Sequence, residues 1–182
     1  MYGLVNRAIE QLVVSIKGPD AWSHICQVAE WPDEGFVALQ LYDDAVTYRL
    51  VGAVSQELDM PPDQVLRAFG EYWILYTAEQ GYGEMLNSCG SNMRDFLRGM
   101  NHMHARIETT MRGVRTPNFD LKDLSEHDIE LTYESEREGL APMVEGLLTG
   151  LAKRFGQTVD VTQVSARSPG VPKDVFHIHI HH

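Results

Sequence analysis

Apolar residues recur every three or four positions from the start of the chain to about Gly113. Leu4, Ala8, Leu12 and Ile16, flanked by Val5, Ile9 and Val13, form one stripe, and Gly18-Pro19 ends the helix it predicts. Asp20 is expected to cap a short helix carrying Trp22, Ile25, Cys26 and Ala29, stopped by Trp31-Pro32. Tyr42-Asp43-Asp44 opens a third helix with Val46, Leu50, Val54 and Leu58 on one face. Met60-Pro61-Pro62-Asp63 breaks and restarts the chain, because proline fits a first helical turn. The next helix carries Val65, Leu66, Phe69, Trp73 and Tyr76. Gly81, Gly83 and Gly90 then bound a short segment around Met85-Leu86. Ser91 is expected to cap a long helix whose apolar positions are Met93, Phe96, Leu97, Met100, Met103, Ile107 and Met111.

Beyond Gly113 the period changes to two. Ile129, Leu131 and Tyr133 alternate with polar residues, as do Val159, Val161 and Val164 less strictly, and the run Val175-Phe176-His177-Ile178-His179-Ile180. An apolar helical stretch from Ala141 to Phe155 separates the first two of these strands, and Ser168-Pro169-Gly170 forms a turn before the last. The fold class is therefore α+β, a helical N-terminal lobe joined to a C-terminal lobe with an antiparallel sheet and helices. The change of pattern near Gly113 suggests a hinge there.

Composition narrows the function. The 182 residues carry 15 Lys and Arg against 26 Asp and Glu, a net charge of −11, with no basic run. Such a chain repels nucleic acid and anionic lipid. No apolar stretch approaches the ~20 residues of a membrane span, and the first residues lack the basic n-region and cleavage site of a secretory signal. Two cysteines, Cys26 and Cys89, build no disulfide framework. A cytoplasmic domain is expected. Eight Met and eight His are the unusual counts.

His104 follows Met100 by four residues and precedes Ile107 by three, so it falls on the apolar stripe of the long helix. Two readings fit: a core histidine bonded to backbone, or a metal ligand. His102 lies roughly 200° around the helix, so the two cannot chelate one ion. In a strand, Tyr133, Ser135 and Arg137 would share one face and Glu134 and Glu136 the other. A phenol, a hydroxyl and a guanidinium suit carboxylates or a phosphate, or else form a plain polar face. An apolar helix with a single His and a donor array would together suit haem, which has a metal, an apolar body and carboxylates at one edge. The tail histidines, His177 and His179 on one face followed by His181-His182, read as a zinc or nickel chelate or as a strand with a histidine-rich end. Glu134, Glu136 and Glu138 read as a solvated face. No nucleotide-binding, nucleophile-elbow or zinc-protease motif occurs.

The segment Phe96-Leu97-Arg98-Gly99-Met100-Asn101-His102-Met103-His104, followed by Pro117-Asn118-Phe119, resembles the proximal helix of the haem–nitric oxide/oxygen-binding (H-NOX) family. That family includes the haem domain of soluble guanylate cyclase. Its pattern has a Leu-Asp pair, a Leu and the ligand His; here these read Met100-Asn101, Met103 and His104. Tyr133-x-Ser135-x-Arg137 is similar to the family's Tyr-x-Ser-x-Arg motif, and the opening Met-x-Gly also fits, so the resemblance spans the chain.

The resemblance implies a single domain over residues 1–182, with a distal helical part over 1–63 and a proximal part with the sheet over 64–182. It implies haem b as cofactor, with His104 as axial ligand and metal-binding residue. Tyr133, Ser135 and Arg137 would hold the propionates, and Pro117 would pack on the porphyrin beside Met100 and Met103. Val5, Ile9, Trp73, Met143 and Leu147 would line the gas side. Oxygen-binding members have a Tyr hydroxyl there, whereas this chain has Ala141, Pro142 and Met143, none a side-chain donor. The implied function is a gas sensor without turnover, binding NO and CO, excluding O2, and signalling to a separate partner. A histidine kinase or a cyclic-di-nucleotide enzyme is the expected partner. Residue patterns alone leave two alternatives, a non-haem metal enzyme using the tail and helix histidines, and a metal-free interaction module with an apolar pocket.

Overall fold

In the computed structural model the described residues are 1–32 and 35–181, with backbone alone for 77–82. Helices α1 (Gly3–Lys17), α2 (Pro19–Val28), α3 (Asp44–Glu57), α4 (Pro62–Tyr72), α5 (Ala78–Asn87) and α6 (Met93–Thr110) precede strands β1 (Asn118–Asp123) and β2 (Asp128–Glu134). Helix α7 (Ala141–Arg154) and strands β3 (Thr158–Ser165) and β4 (Lys173–His181) follow. The chain divides into two units, Met1–Phe69 and Gly70–His182, so the division falls within α4. None of the described helices is long and apolar enough to cross a membrane.

The first unit is helical. Helix α1 buries Ala8, Ile9, Leu12 and Val13 on the stripe its sequence marks, and α2 and α3 contribute Trp22, Ile25, Leu50 and Val54. Helix α2 begins differently from expectation. Gly18 adopts φ +86° and Pro19 takes the first helical position, which leaves Asp20 inside the first turn, where it meets the positive end of the helix, and not at the cap. The expected start of α3 is present, with the Asp43 carboxylate accepting from the Ala45 amide at 2.9 Å.

The second unit holds α5, α6, α7 and the sheet. Helix α4 does not stop at the glycines expected to bound a short segment. It runs through a π-helical turn, Trp73–Thr77, directly into α5, and Gly81 and Gly83 lie inside that helix. Glycine costs a helix only ~1 kcal/mol, which packing overrides. Gly70 has a separate reason to be glycine. A Cβ there would sit 2.2 Å from the Met143 carbonyl oxygen, so the backbones of α4 and α7 meet directly. Helix α6 is capped by Asn92, whose side chain accepts from the Asp95 amide at 2.9 Å, and not by Ser91.

The four strands form one antiparallel sheet in the order β1-β2-β4-β3. Alternation buries Ile129, Leu131 and Tyr133 of β2 and Phe176, Ile178 and Ile180 of β4 on one face, which α6 and α7 cover with Phe96, Leu97, Val144, Leu148 and Leu151. Strand β1 was not expected: Phe119 and Leu121 alternate, but among too few residues and too many charges to stand out. Because α6 packs along β1 in the same unit as the sheet, the change of pattern near Gly113 is a turn (φ +80°) within that unit, not a boundary between units.

Candidate functional site on helix α6

Met93, Phe96, Leu97 and Met103 are buried on α6, and Met100 and Ile107 pack partly against the same core. Met100 lines a narrow apolar cleft with Ile74, Phe96, Leu97, Phe119, Val144 and Leu147. Met103 turns toward Cys89, whose sulfur lies 3.5 Å from its own. Burial pushes the Cys89 thiol up, the state of an inert thiol.

His104 is partly buried, and its Nδ1 lies 2.9 Å from the Pro117 carbonyl oxygen. A carbonyl only accepts, so Nδ1 carries the hydrogen and Nε2 keeps its lone pair. Burial holds the ring below the usual histidine value, against the opposing pull of the Pro117 carbonyl and the Glu108 carboxylate, and at neutral pH it is uncharged. Its ring lies 5.8 Å from that of Phe119. His102 is exposed, as its helical angle requires. The backbone acceptor and the ligand-ready nitrogen thus coexist: a core histidine bonded to backbone is also one poised to bind a metal.

The second constellation is arranged differently from expectation. Strand β2 ends at Glu134, so only Tyr133 points from the strand. It is buried, with its ring 5.3 Å from that of Phe119, and Phe119 therefore adjoins both His104 and Tyr133. Ser135 and Arg137 belong to the turn that follows: the Ser135 hydroxyl oxygen accepts from the Arg137 amide at 3.1 Å, and Arg137 Nη1 donates to the Arg115 carbonyl at 2.8 Å. The alternation of a strand thus fails after Tyr133 because the side chain of Ser135 closes a local turn. Arg167, which no sequence motif singles out, donates to the Arg137 carbonyl at 2.6 Å and to the Ser135 carbonyl at 3.3 Å. The turn therefore has a second guanidinium beside it.

Two further residues had no role in the sequence reading. The Asn101 side chain donates to the Phe119 carbonyl at 2.9 Å and accepts from the Phe119 amide at 2.8 Å. Glu108 Oε1 accepts from the Thr116 amide at 2.9 Å and from its hydroxyl at 2.6 Å. Asn101 enters the sequence reading only as the residue in place of the family's Asp, and Glu108 only by helical spacing from His104. Of the residues expected on the gas side, Val5 and Ile9 lie in α1 of the first unit, and Trp73, Met143 and Leu147 in the second, where Trp73 and Leu147 pack on the core. The tail histidines are occupied otherwise: His177 and His179 share the Asp128 carboxylate, and His181 lies on Asp160. His182 lies outside the described residues. Among the described residues no three His, Cys, Asp or Glu side chains are grouped to hold a metal ion.

Residues 2–163 match the family described as Haem-NO-binding. The chain belongs to that family. It is 29% identical to the soluble guanylate cyclase gcy-32 of Caenorhabditis elegans over 90% of its own length and 24% of that protein's. It is 24% identical to the soluble guanylate cyclase 89Db of Drosophila melanogaster over 85% of its length and 23% of that protein's. The chain thus spans about a quarter of the length of these curated relatives. In fold it resembles an H-NOX protein from S. oneidensis in the Fe(II)NO state, with a TM-score of 0.88 and 23% identity over the whole of both chains. An unliganded Fe(II) H-NOX protein from K. algicida gives 0.85 at 18% identity, over 100% of this chain and 97% of the other. The matched family is one of haem-binding sensor domains, which sets aside the non-haem metal-enzyme and metal-free alternatives.

Proposed function

We propose that the domain holds haem b through His104 Nε2 and reports the arrival of NO to a signalling partner. The hydrogen bond from His104 Nδ1 to the Pro117 carbonyl supports this reading above any other observation, because it fixes which nitrogen carries the hydrogen and turns the other outward, on a ring that burial keeps neutral. Two features fit that cofactor: the partly buried imidazole on an apolar helix face, and Tyr133, whose ring adjoins the same Phe119 and which leads into the turn carrying Ser135 and Arg137. Tyr133, Ser135 and Arg137 would receive the propionates, while Pro117, Met100 and Met103 would support the ring. Ferrous haem, when bound, supplies the iron position at which a diatomic gas is captured.

Selectivity follows from what the gas-side residues can donate. Bound O2 carries partial negative charge and is retained by a hydrogen-bond donor, whereas NO and CO need none. Val5, Ile9, Met143 and Leu147 offer no side-chain donor, and Ala141 and Pro142 at the start of α7 add none. The Trp73 N–H is the exception, on a ring whose bulk restricts space. The partner would be a histidine kinase or a cyclic-di-nucleotide enzyme, and the setting cytoplasmic. The test is a gas panel on the haem-loaded ferrous protein. NO and CO are expected to change its absorption spectrum, and equilibration in air to give no stable adduct. An O2 adduct that persists in air would overturn the selectivity, and a protein that takes up no haem would overturn the whole reading.

A further inference from the structure

Asn101, His104 and Glu108 lie three and four residues apart, and on a regular helix they fall within an arc of roughly 60°. All three hold the same stretch of backbone. Asn101 makes its two bonds to Phe119, His104 its bond to Pro117, and Glu108 its two bonds to Thr116. The stretch 116–119 leads into β1, where Phe119 is paired with Tyr133 across the sheet.

We infer that Asn101 and Glu108 are positioning residues for His104: they hold the Pro117 carbonyl in place to orient the imidazole, and they tie the segment entering β1 to that face of α6. The inference rests on the reading of His104 as the iron ligand. Its chemistry is specific. Only a carboxamide can donate to the Phe119 carbonyl while accepting from the Phe119 amide. An ionised Asp, the residue that the family resemblance leads one to expect here, would set a carboxylate against a carbonyl with no proton between them. The change from Asp to Asn is therefore not conservative in this chain. Glu108, seven residues farther along α6 than Asn101, needs only to accept, which a carboxylate does strongly and an amide oxygen adequately. A displacement of His104 along or away from α6 would pull on the Pro117 carbonyl, and 116–119 could follow only together with Asn101 and Glu108. That path leads to β1 and Tyr133 through hydrogen bonds, without a hinge at Gly113.

The experiment measures the haem-loaded ferrous full chain in two ways, the iron–histidine stretching band by resonance Raman and amide hydrogen exchange at Thr116 and Phe119. Asn101→Ala and Asn101→Asp are expected to speed Phe119 exchange by at least about tenfold and to shift or broaden the iron–histidine band. Glu108→Ala should do the same at Thr116, and Glu108→Gln should restore the wild-type band. Glu108 is exposed, so its variants keep the test available if the Asn101 variants do not fold. Faster exchange with an unmoved iron–histidine band would overturn the inference, leaving both residues a purely structural role. A wild-type protein with no iron–histidine band would instead overturn the ligand reading on which it rests.

Discussion

His104 and His179 make the same contact by one measure: in each, Nδ1 lies 2.9 Å from an oxygen. The oxygens differ. That of His104 is the Pro117 carbonyl, neutral and unable to give a proton, beside a partly buried ring. That of His179 belongs to the Asp128 carboxylate, shared with His177 on the half-exposed outer face of the sheet. A carbonyl fixes one tautomer, and on a ring that burial keeps uncharged it leaves the other nitrogen's lone pair free. A carboxylate accepts too, and here the same Asp128 carboxylate takes ring nitrogens of both His179 and His177 across the two strands. Two histidine-bearing surfaces of one unit thus differ: one turns a ring nitrogen away from its acceptor, and the other commits ring nitrogens to a carboxylate that links β4 to β2.

The largest effect that separates the two surfaces concerns haem retention. On the role proposed for Arg137, Arg137→Ala removes a charge-assisted donor worth ~1.5–3 kcal/mol and is expected to speed haem loss about 10–150-fold. Ser135→Ala should have the smaller effect, because its hydroxyl oxygen already accepts from the Arg137 amide within its own turn. The double variant His177→Gln, His179→Gln should leave the rate of haem transfer to an apo-globin acceptor unchanged. Equal rates in all of these variants would erase the distinction.

A smaller effect is expected on stability. The His179 hydrogen bond, with that of Ser125, holds the Asp128 carboxyl below the usual carboxylate range. A depressed carboxylate value stabilises the fold above the ordinary pKa and loses that contribution as pH falls through the folded-state value. Asp128→Asn should therefore lower the melting temperature slightly at pH 7, and the gap to wild type should close below about pH 4. Its haem spectrum should not change. A gap that widens in acid would contradict the assignment of Asp128 as the anionic partner.

Much of the fold was legible in the chain, because periodicity reports burial and most of these elements are half-buried. The stripes of α1, α3 and α6 and the alternation of β2 and β4 were read directly from it. Periodicity says less about ends. The cap of α6 fell to Asn92 instead of its neighbour Ser91, and β2 stopped before Ser135 because a side-chain bond closes a turn there. Strand β1 owes its place to pairing with β2 and to Asn101, eighteen residues from Phe119 in sequence, and no local pattern carries such information. His104 itself was visible through its position on an apolar stripe. Which nitrogen it would offer was not, because that depends on the carbonyl of Pro117, which reaches the ring only after α6 and β1 have packed.

The most direct test is the absorption spectrum of the reduced, CO-exposed protein after substitution at each histidine in turn, with and without added imidazole. His104→Gly should lose haem or bind it only when imidazole fills the gap, while His102→Ala and His179→Gln should reproduce the wild-type spectra. Wild-type ferrous and CO spectra from His104→Gly in the absence of imidazole would show that the nitrogen facing away from Pro117 does not hold the iron.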